Sequence, residues 1–177
     1  SLEIGHYRIE EVTAPDGYVV NKNYVEITVD SDTAYEVDGV SGDVIIEVSY
    51  EDQPVKGNLI VYKKGEMLSG FENDFIYEEQ YLSGAEFEVR AAEDICTPDH
   101  QKDADGNRIV LYAKDTLVAT ITTGESGKAV AKDLPLGRYY VVETKAPEGF
   151  VLNPEPVTVA LTYQDQETPV VEAEAMV

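Results

Sequence analysis

Few residues of this 177-residue chain have both the type and the spacing that chemistry needs. With His6 and His100 as its two histidines, no Ser/His/Asp constellation can be assembled. Cys96 and His100 stand at metal-ligand spacing but have no further soft ligands nearby in sequence, and a surface loop is the better reading. Asp103-x-Asp105-Gly106-Asn107 resembles a calcium loop only in part. An EF-hand needs a glutamate at its twelfth position, where Lys114 stands, so a polar hairpin turn is expected. The Gly124–Lys128 stretch is too short for a phosphate loop and has no Ser or Thr after its lysine. Glu11, Glu143 and Lys63 are each in phase with apolar neighbours at strand spacing, where a lone charged residue would read as a solvated strand-edge side chain. Glu143 follows Tyr139 and Val141 at intervals of two, so all three project from one face of a strand. Lys63 is likewise in phase with Leu59 and Val61, whereas Lys64 points to the opposite face. No metal or cofactor is implied.

The segment around Glu143 is one half of an internal repeat. Gly5-x-Tyr7-x-Ile9-x-Glu11-x-x-Ala14-Pro15-x-Gly17-Tyr18 returns as Gly137-x-Tyr139-x-Val141-x-Glu143-x-x-Ala146-Pro147-x-Gly149-Phe150, at a constant offset of 132. The correspondence continues through Asn21/Asn153, Val25/Val157, Ile27/Val159 and Val29/Leu161. In each copy an alternating strand carries the glutamate, a Pro-x-Gly turn breaks it, and a second alternating strand follows.

The rest of the chain reads as short strands between turns: Leu59/Val61, Ala85/Phe87/Val89, Val110 to Tyr112, Leu117 to Thr122 and Lys128 to Val130. Ser83-Gly84, Asp105-Gly106-Asn107 and Glu125-Ser126-Gly127 supply turns. In the N-terminal part strands are expected near Tyr7–Val12, Val25–Val29, Ala34–Val37 and Val44–Tyr50. Glu72 to Leu82, polar and rich in aromatics, reads as a loop with at most one helical turn. The fold class is therefore all-β, a tandem of β-sandwich modules. The junction is expected at Asp52-Gln53-Pro54-Val55-Lys56-Gly57. Residues 1–54 would then be the C-terminal part of a first module, and residues 55–177 a nearly complete second one.

Composition narrows the partners. Thirty-five acidic against 13 basic residues give a net charge of −22, which repels phosphate backbones and anionic lipid alike. Nucleic acid is not an expected partner. No apolar run is long enough for a membrane span, and no signal peptide opens the chain. The lone Cys96 allows no internal disulfide.

Together the two Tyr-x-(Ile/Val)-x-Glu…Ala-Pro-x-Gly-aromatic blocks, Gly57-x-Leu59-x-Val61-x-Lys63 and Leu82-Ser83-Gly84-Ala85-Glu86-Phe87-Glu88-Val89 resemble the collagen-adhesin B-type, or SpaA-type pilin (prealbumin-like), repeats of Gram-positive surface proteins. The resemblance covers nearly the whole chain. It implies an Ig-like or prealbumin-like sandwich, a non-catalytic stalk role in an adhesin or pilus, an extracellular, cell-wall-attached location, and neighbouring repeats as partners. A host-protein or glycan-binding module, or an accessory domain of a secreted enzyme, are the alternatives. Many members of this family form an internal isopeptide bond between a first-strand lysine and a last-strand Asn or Asp, assisted by a glutamate. In general such chemistry needs burial that lowers an amine's pKa and raises a carboxyl's, with proximity supplying effective molarity.

Carried onto this chain, the resemblance assigns Lys63 as the lysine and Glu143 as the assisting acid of the second copy. It assigns Glu11 as the acid and Asp52 as the acceptor of the first. The first copy starts after the strand that should carry its lysine. In the second, aligning Val44 with Val171 places the counterpart of Asp52 two residues past Val177. Neither copy is expected to hold a complete set, and residues 1–54 are expected to be the less stable part or to borrow strands.

Overall fold

The structure is a computed structural model that describes residues 2–30, 36–37 and 44–177. Among these residues it is built of strands alone. In chain order they are β1 (Gly5–Glu10), β2 (Tyr18–Val19), β3 (Tyr24–Val29), β4 (Glu36–Val37), β5 (Val44–Ile45), β6 (Gln53–Pro54), β7 (Lys56–Tyr62), β8 (Lys64–Phe71) and β9 (Phe75–Tyr81). There follow β10 (Glu86–Ala91), β11 (Ile95–Cys96), β12 (Val110–Tyr112), β13 (Leu117–Thr122), β14 (Lys128–Pro135), β15 (Gly137–Lys145), β16 (Val157–Leu161) and β17 (Val170–Met176).

Two sheets form the sandwich. One has the order β13-β10-β15-β16, all antiparallel; the other is β14-β7-β17, with β17 parallel to β7. Period-two alternation dictates which side chains meet between them. Phe87 and Val89 of β10, Tyr139 and Val141 of β15, Leu59 and Val61 of β7 and Leu161 of β16 are essentially inaccessible to solvent and make one core. The facing positions Glu86, Glu88 and Arg90 stay partly solvated. Close approach of the sheets needs a residue without a side chain at position 57, because a Cβ on Gly57 would lie 2.5 Å from Leu161 Cδ1.

The first repeat copy forms the antiparallel pair β1–β3. β2 pairs with β6, and β4 with β5. The expected strand from Val44 to Tyr50 is described as strand only over Val44–Ile45, and Ala34 lies outside the described residues. Tyr50 takes a different part. Its hydroxyl donates to Ile9 O and accepts from Val25 N, so it bridges two residues that are register partners in β1 and β3.

One expectation fails outright. Glu72 to Leu82 is neither loop nor helical turn: its residues 75–81 are β9, which pairs along its length with β8 as a long hairpin. Neither face of this hairpin is packed on a core, so its sequence lacks the alternation by which a strand is read. Lys128 to Val130 is also longer than expected, running to Pro135 across an irregularity between Ala131 and Leu134.

Candidate functional site: a buried lysine–glutamate pair and an acid pair

Glu143 is placed by the inner phase of β15. It stands opposite Phe87 in the β10–β15 ladder and is 2% exposed. Lys63 immediately follows β7, in phase with Leu59 and Val61, and is 6% exposed. Its backbone is held by Gly127 O, which accepts from Lys63 N, and by Leu82 N, which donates to Lys63 O. The two side chains meet in the interior, Lys63 Nζ lying 3.1 Å from Glu143 Oε1. The approach is ionic rather than an aligned hydrogen bond, and Oε1 has no hydrogen-bond partner. The other carboxylate oxygen is fixed: Glu143 Oε2 accepts from Asn153 N at 2.7 Å. Burying an ion pair is costly, so an unaligned one is poor support for stability.

The first copy repeats half of this arrangement. Glu11 Oε2 accepts from Asn21 N at 2.6 Å, the same bond at the same offset of 132. In both copies the asparagine also closes a local turn: Asn21 Oδ1 accepts from Asn23 N and Asn153 Oδ1 from Glu155 N. These asparagines act as clamps for the glutamates. In the sequence they stand out only as corresponding positions of the repeat, and the signal of this role is their fixed spacing of ten from each glutamate.

In place of a lysine, Glu11 has a second acid beside it. Asp52 is half-buried, and its Oδ1 is sequestered without a hydrogen-bond partner. This burial, and then the neighbouring Glu11 carboxylate, push the Asp52 carboxyl above its ordinary value of 3.8. Among the described residues no lysine or arginine forms an ion pair with either acid. The four residues singled out from sequence thus form two separate half-sites, Lys63 with Glu143 and Glu11 with Asp52.

The junction between the half-sites is tightly made. Val55 N donates to Gly17 O, Gln166 Oε1 accepts from Ala14 N, and Gln166 O accepts from Val20 N. Asp103 and its neighbours form the expected polar turn, Asp103 Oδ1 accepting from Asp105 N and Asn107 N beneath a Lys102–Arg108 bridge. These backbone bonds hold the Asp103 carboxyl below its ordinary range.

Two packed sheets with a buried amine and carboxylate between their layers define an all-β sandwich module. The family model for SpaA, described as a prealbumin-like fold domain, matches residues 1–42 and 76–175, and the chain belongs to this family. Among solved structures it is similar to the Bacillus anthracis TIE protein, with 25% identity and a TM-score of 0.54 over 99% of this chain and 25% of that one. It also resembles the full-length major pilin SpaD from Corynebacterium diphtheriae (26% identity, TM-score 0.40, 68% of this chain and 29% of that one). A third likeness is to the group B streptococcus pilus 2b backbone protein (19%, TM-score 0.39, 86% and 55%). The chain spans about a quarter of the length of the Bacillus anthracis protein. No curated protein matches it.

Proposed function

We propose that this chain is a non-catalytic structural stretch of a Gram-positive surface protein of pilus or adhesin type, displayed outside the cell and anchored to its wall. In this reading residues 1–54 and 55–177 belong to successive modules. Family membership supports the structural role. The observation that carries the mechanistic part is the buried contact of Lys63 with Glu143.

We further propose that Lys63 is the nucleophile of an isopeptide bond. Glu143 Oε1 takes a proton from Nζ across their 3.1 Å contact, which leaves a neutral amine and a neutral acid in the interior. The amine attacks the side-chain carbonyl of an Asn; Glu143 gives its proton to the departing nitrogen and takes up the one that the attacking nitrogen loses. A C–N bond forms, the amide C–N bond breaks and ammonia leaves; with an Asp acceptor the leaving group is water. Asn153 N holds the carboxylate so that Oε1 faces the amine. The strand register supports an acceptor site. Val177 N donates to Tyr62 O and Val177 O accepts from Lys64 N, so position 177 lies beside Lys63. The next position on the same face is two residues further on, in agreement with the alignment of Val44 and Val171.

The test is the intact mass of a chain carried about ten residues past Val177 in its natural sequence. The expected result is loss of one ammonia or one water, abolished by Lys63→Arg and by Glu143→Ala. An extended chain that keeps its full mass would remove the isopeptide role while leaving the structural one standing. In the first module Glu11 and Asp52 take the corresponding roles toward a lysine on a preceding strand.

A further inference from the structure

The β8–β9 hairpin stands apart from both half-sites and is explained by neither. Its base is well fixed. On one face Gly65 lets Phe150 and Leu82 lie against the strand, since a Cβ there would be 2.7 Å from Phe150 Cε1 and 2.6 Å from Leu82 Cδ1. On the other face Lys64 pairs with Glu79 at 3.1 Å, and the Tyr81 ring meets Tyr62. Beyond this base the arms leave the core, and every residue of β9 is exposed.

The exposed part is apolar where solvent would favour polar side chains. Phe75, Tyr77, Glu79 and Tyr81 share one face of β9. Across the ladder Leu68 stands opposite Tyr77, and Phe71 opposite Phe75. Leu68, Phe71, Phe75 and Tyr77 are each more than half exposed, and the Phe71 and Phe75 rings pack on each other at 5.4 Å. Two of the four phenylalanines in the chain are thus at this tip, while Phe87 is fully buried. A contiguous exposed apolar cluster is the mark of an interaction site. Its core residues 71–75 fall outside both spans that the family pattern accounts for.

The charges around the cluster select the occupant. Glu66 shares the face of Leu68, and Glu72 and Asp74 lie in the connecting turn. Among the described residues of the hairpin, Glu79 alone has a cation partner. A second copy of this chain would bring the same acidic rim, and a net charge of −22, against its like. An anionic lipid surface is repelled in the same way.

We infer that the tip of the β8–β9 hairpin is a docking surface for another protein that presents an apolar cleft rimmed by lysine or arginine. Leu68, Phe71, Phe75 and Tyr77 supply the buried contact, and Glu66, Glu72 and Asp74 the charge complementarity. The free edges of the two-stranded ribbon allow the partner to add a strand as well.

The test measures binding of the whole chain to immobilised 12-residue peptides in which Phe or Leu alternates with Lys. Comparison probes are the same peptides with Glu in place of Lys, oligolysine, a glycan array and phosphatidylcholine vesicles. The Lys peptides should bind at least ten-fold more tightly than the Glu peptides and oligolysine, and lose affinity several-fold between 50 and 300 mM salt. The Phe71→Ser/Phe75→Ser variant should abolish binding at unchanged melting temperature, whereas Val151→Ser, at another exposed apolar position, should not. The proposal is overturned if no Lys peptide binds, if Lys and Glu peptides bind alike, or if the Phe71→Ser/Phe75→Ser variant binds as its parent does. Preferential capture by glycans or vesicles overturns it too, as does a concentration-dependent dimer that the same variant dissolves.

Discussion

The two repeat copies share their local wiring and differ in how deeply it is buried. In each, the tyrosine hydroxyl donates to the carbonyl four residues back, Tyr7 to Glu3 and Tyr139 to Pro135, both at 2.7 Å. The glutamates take the same bond from their asparagine N–H groups. Yet Tyr139, Val141 and Glu143 are at most 2% exposed, whereas Tyr7, Ile9 and Glu11 are only half-buried. The cause lies in the neighbours. β15 has β10 on one side, β16 on the other and the β7 sheet across the core, while among the described residues β1 pairs with β3 alone. A motif of this kind encodes hydrogen bonds within one turn's reach; the solvent exposure of its side chains is decided by strands distant in sequence.

The sharpest way to break that comparison is to truncate the two glutamates. Glu143→Ala leaves Lys63 as a buried, uncompensated cation and should cost about 3–5 kcal/mol in urea unfolding of the uncrosslinked chain. Glu11→Ala removes a half-solvated acid with no cation partner among the described residues, and should cost no more than about 1 kcal/mol. Equal losses would mean that burial is not what separates the copies.

The turns reverse the ranking. Gly17 and Gly149 have nearly the same left-handed φ, +87° and +85°, but a Cβ on Gly17 would lie 2.4 Å from Pro98 Cβ, whereas Gly149 faces open space. Gly149→Ala should therefore cost only the backbone strain, about 1–2 kcal/mol. Gly17→Ala adds overpacking of about 1–3 kcal/mol on top of it. A thermal melt of both variants checks this, and it tests whether the first turn is truly held against the second sheet system.

The smallest effect concerns the acid pair. Because the Asp52 carboxyl titrates above its unfolded value near 3.8, the folded chain binds that proton more tightly than the unfolded one. Its contribution favours folding below that value and is lost as pH rises through the folded pKa. Asp52→Asn, which keeps the shape without the charge, should raise the melting temperature at pH 7 and leave it unchanged at pH 3. A gain of equal size at both pH values would show that Glu11 and the burial of Asp52 are not its origin.

Much of this was legible in the sequence. The repeat, the sandwich and the inward phase of Lys63 and Glu143 follow from alternation, because those strands have one face on the core and one in water. The β8–β9 hairpin was not legible, since both of its faces are wet and its residues obey no period. Nor could spacing reveal that Tyr50 would bridge Ile9 and Val25 in place of a continued strand, for a hydroxyl's partner depends on where three separate segments meet. The juxtaposition of Glu11 and Asp52 was reachable only through the family resemblance.

The parallel pairing of β7 with β17 has a mechanical consequence. The chain enters this pair at Lys56 and leaves it at Met176, and since the strands run the same way these are opposite ends of one ladder. Tension between the two points slides one strand along the other. All register pairs from Val170↔Lys56 to Met176↔Tyr62 are then strained together, and none gives way before its neighbours. The β8–β9 hairpin drawn from its base would instead unzip one pair at a time. The core module is thus shaped to resist a pull along its length in shear, while its hairpin is the part that would peel.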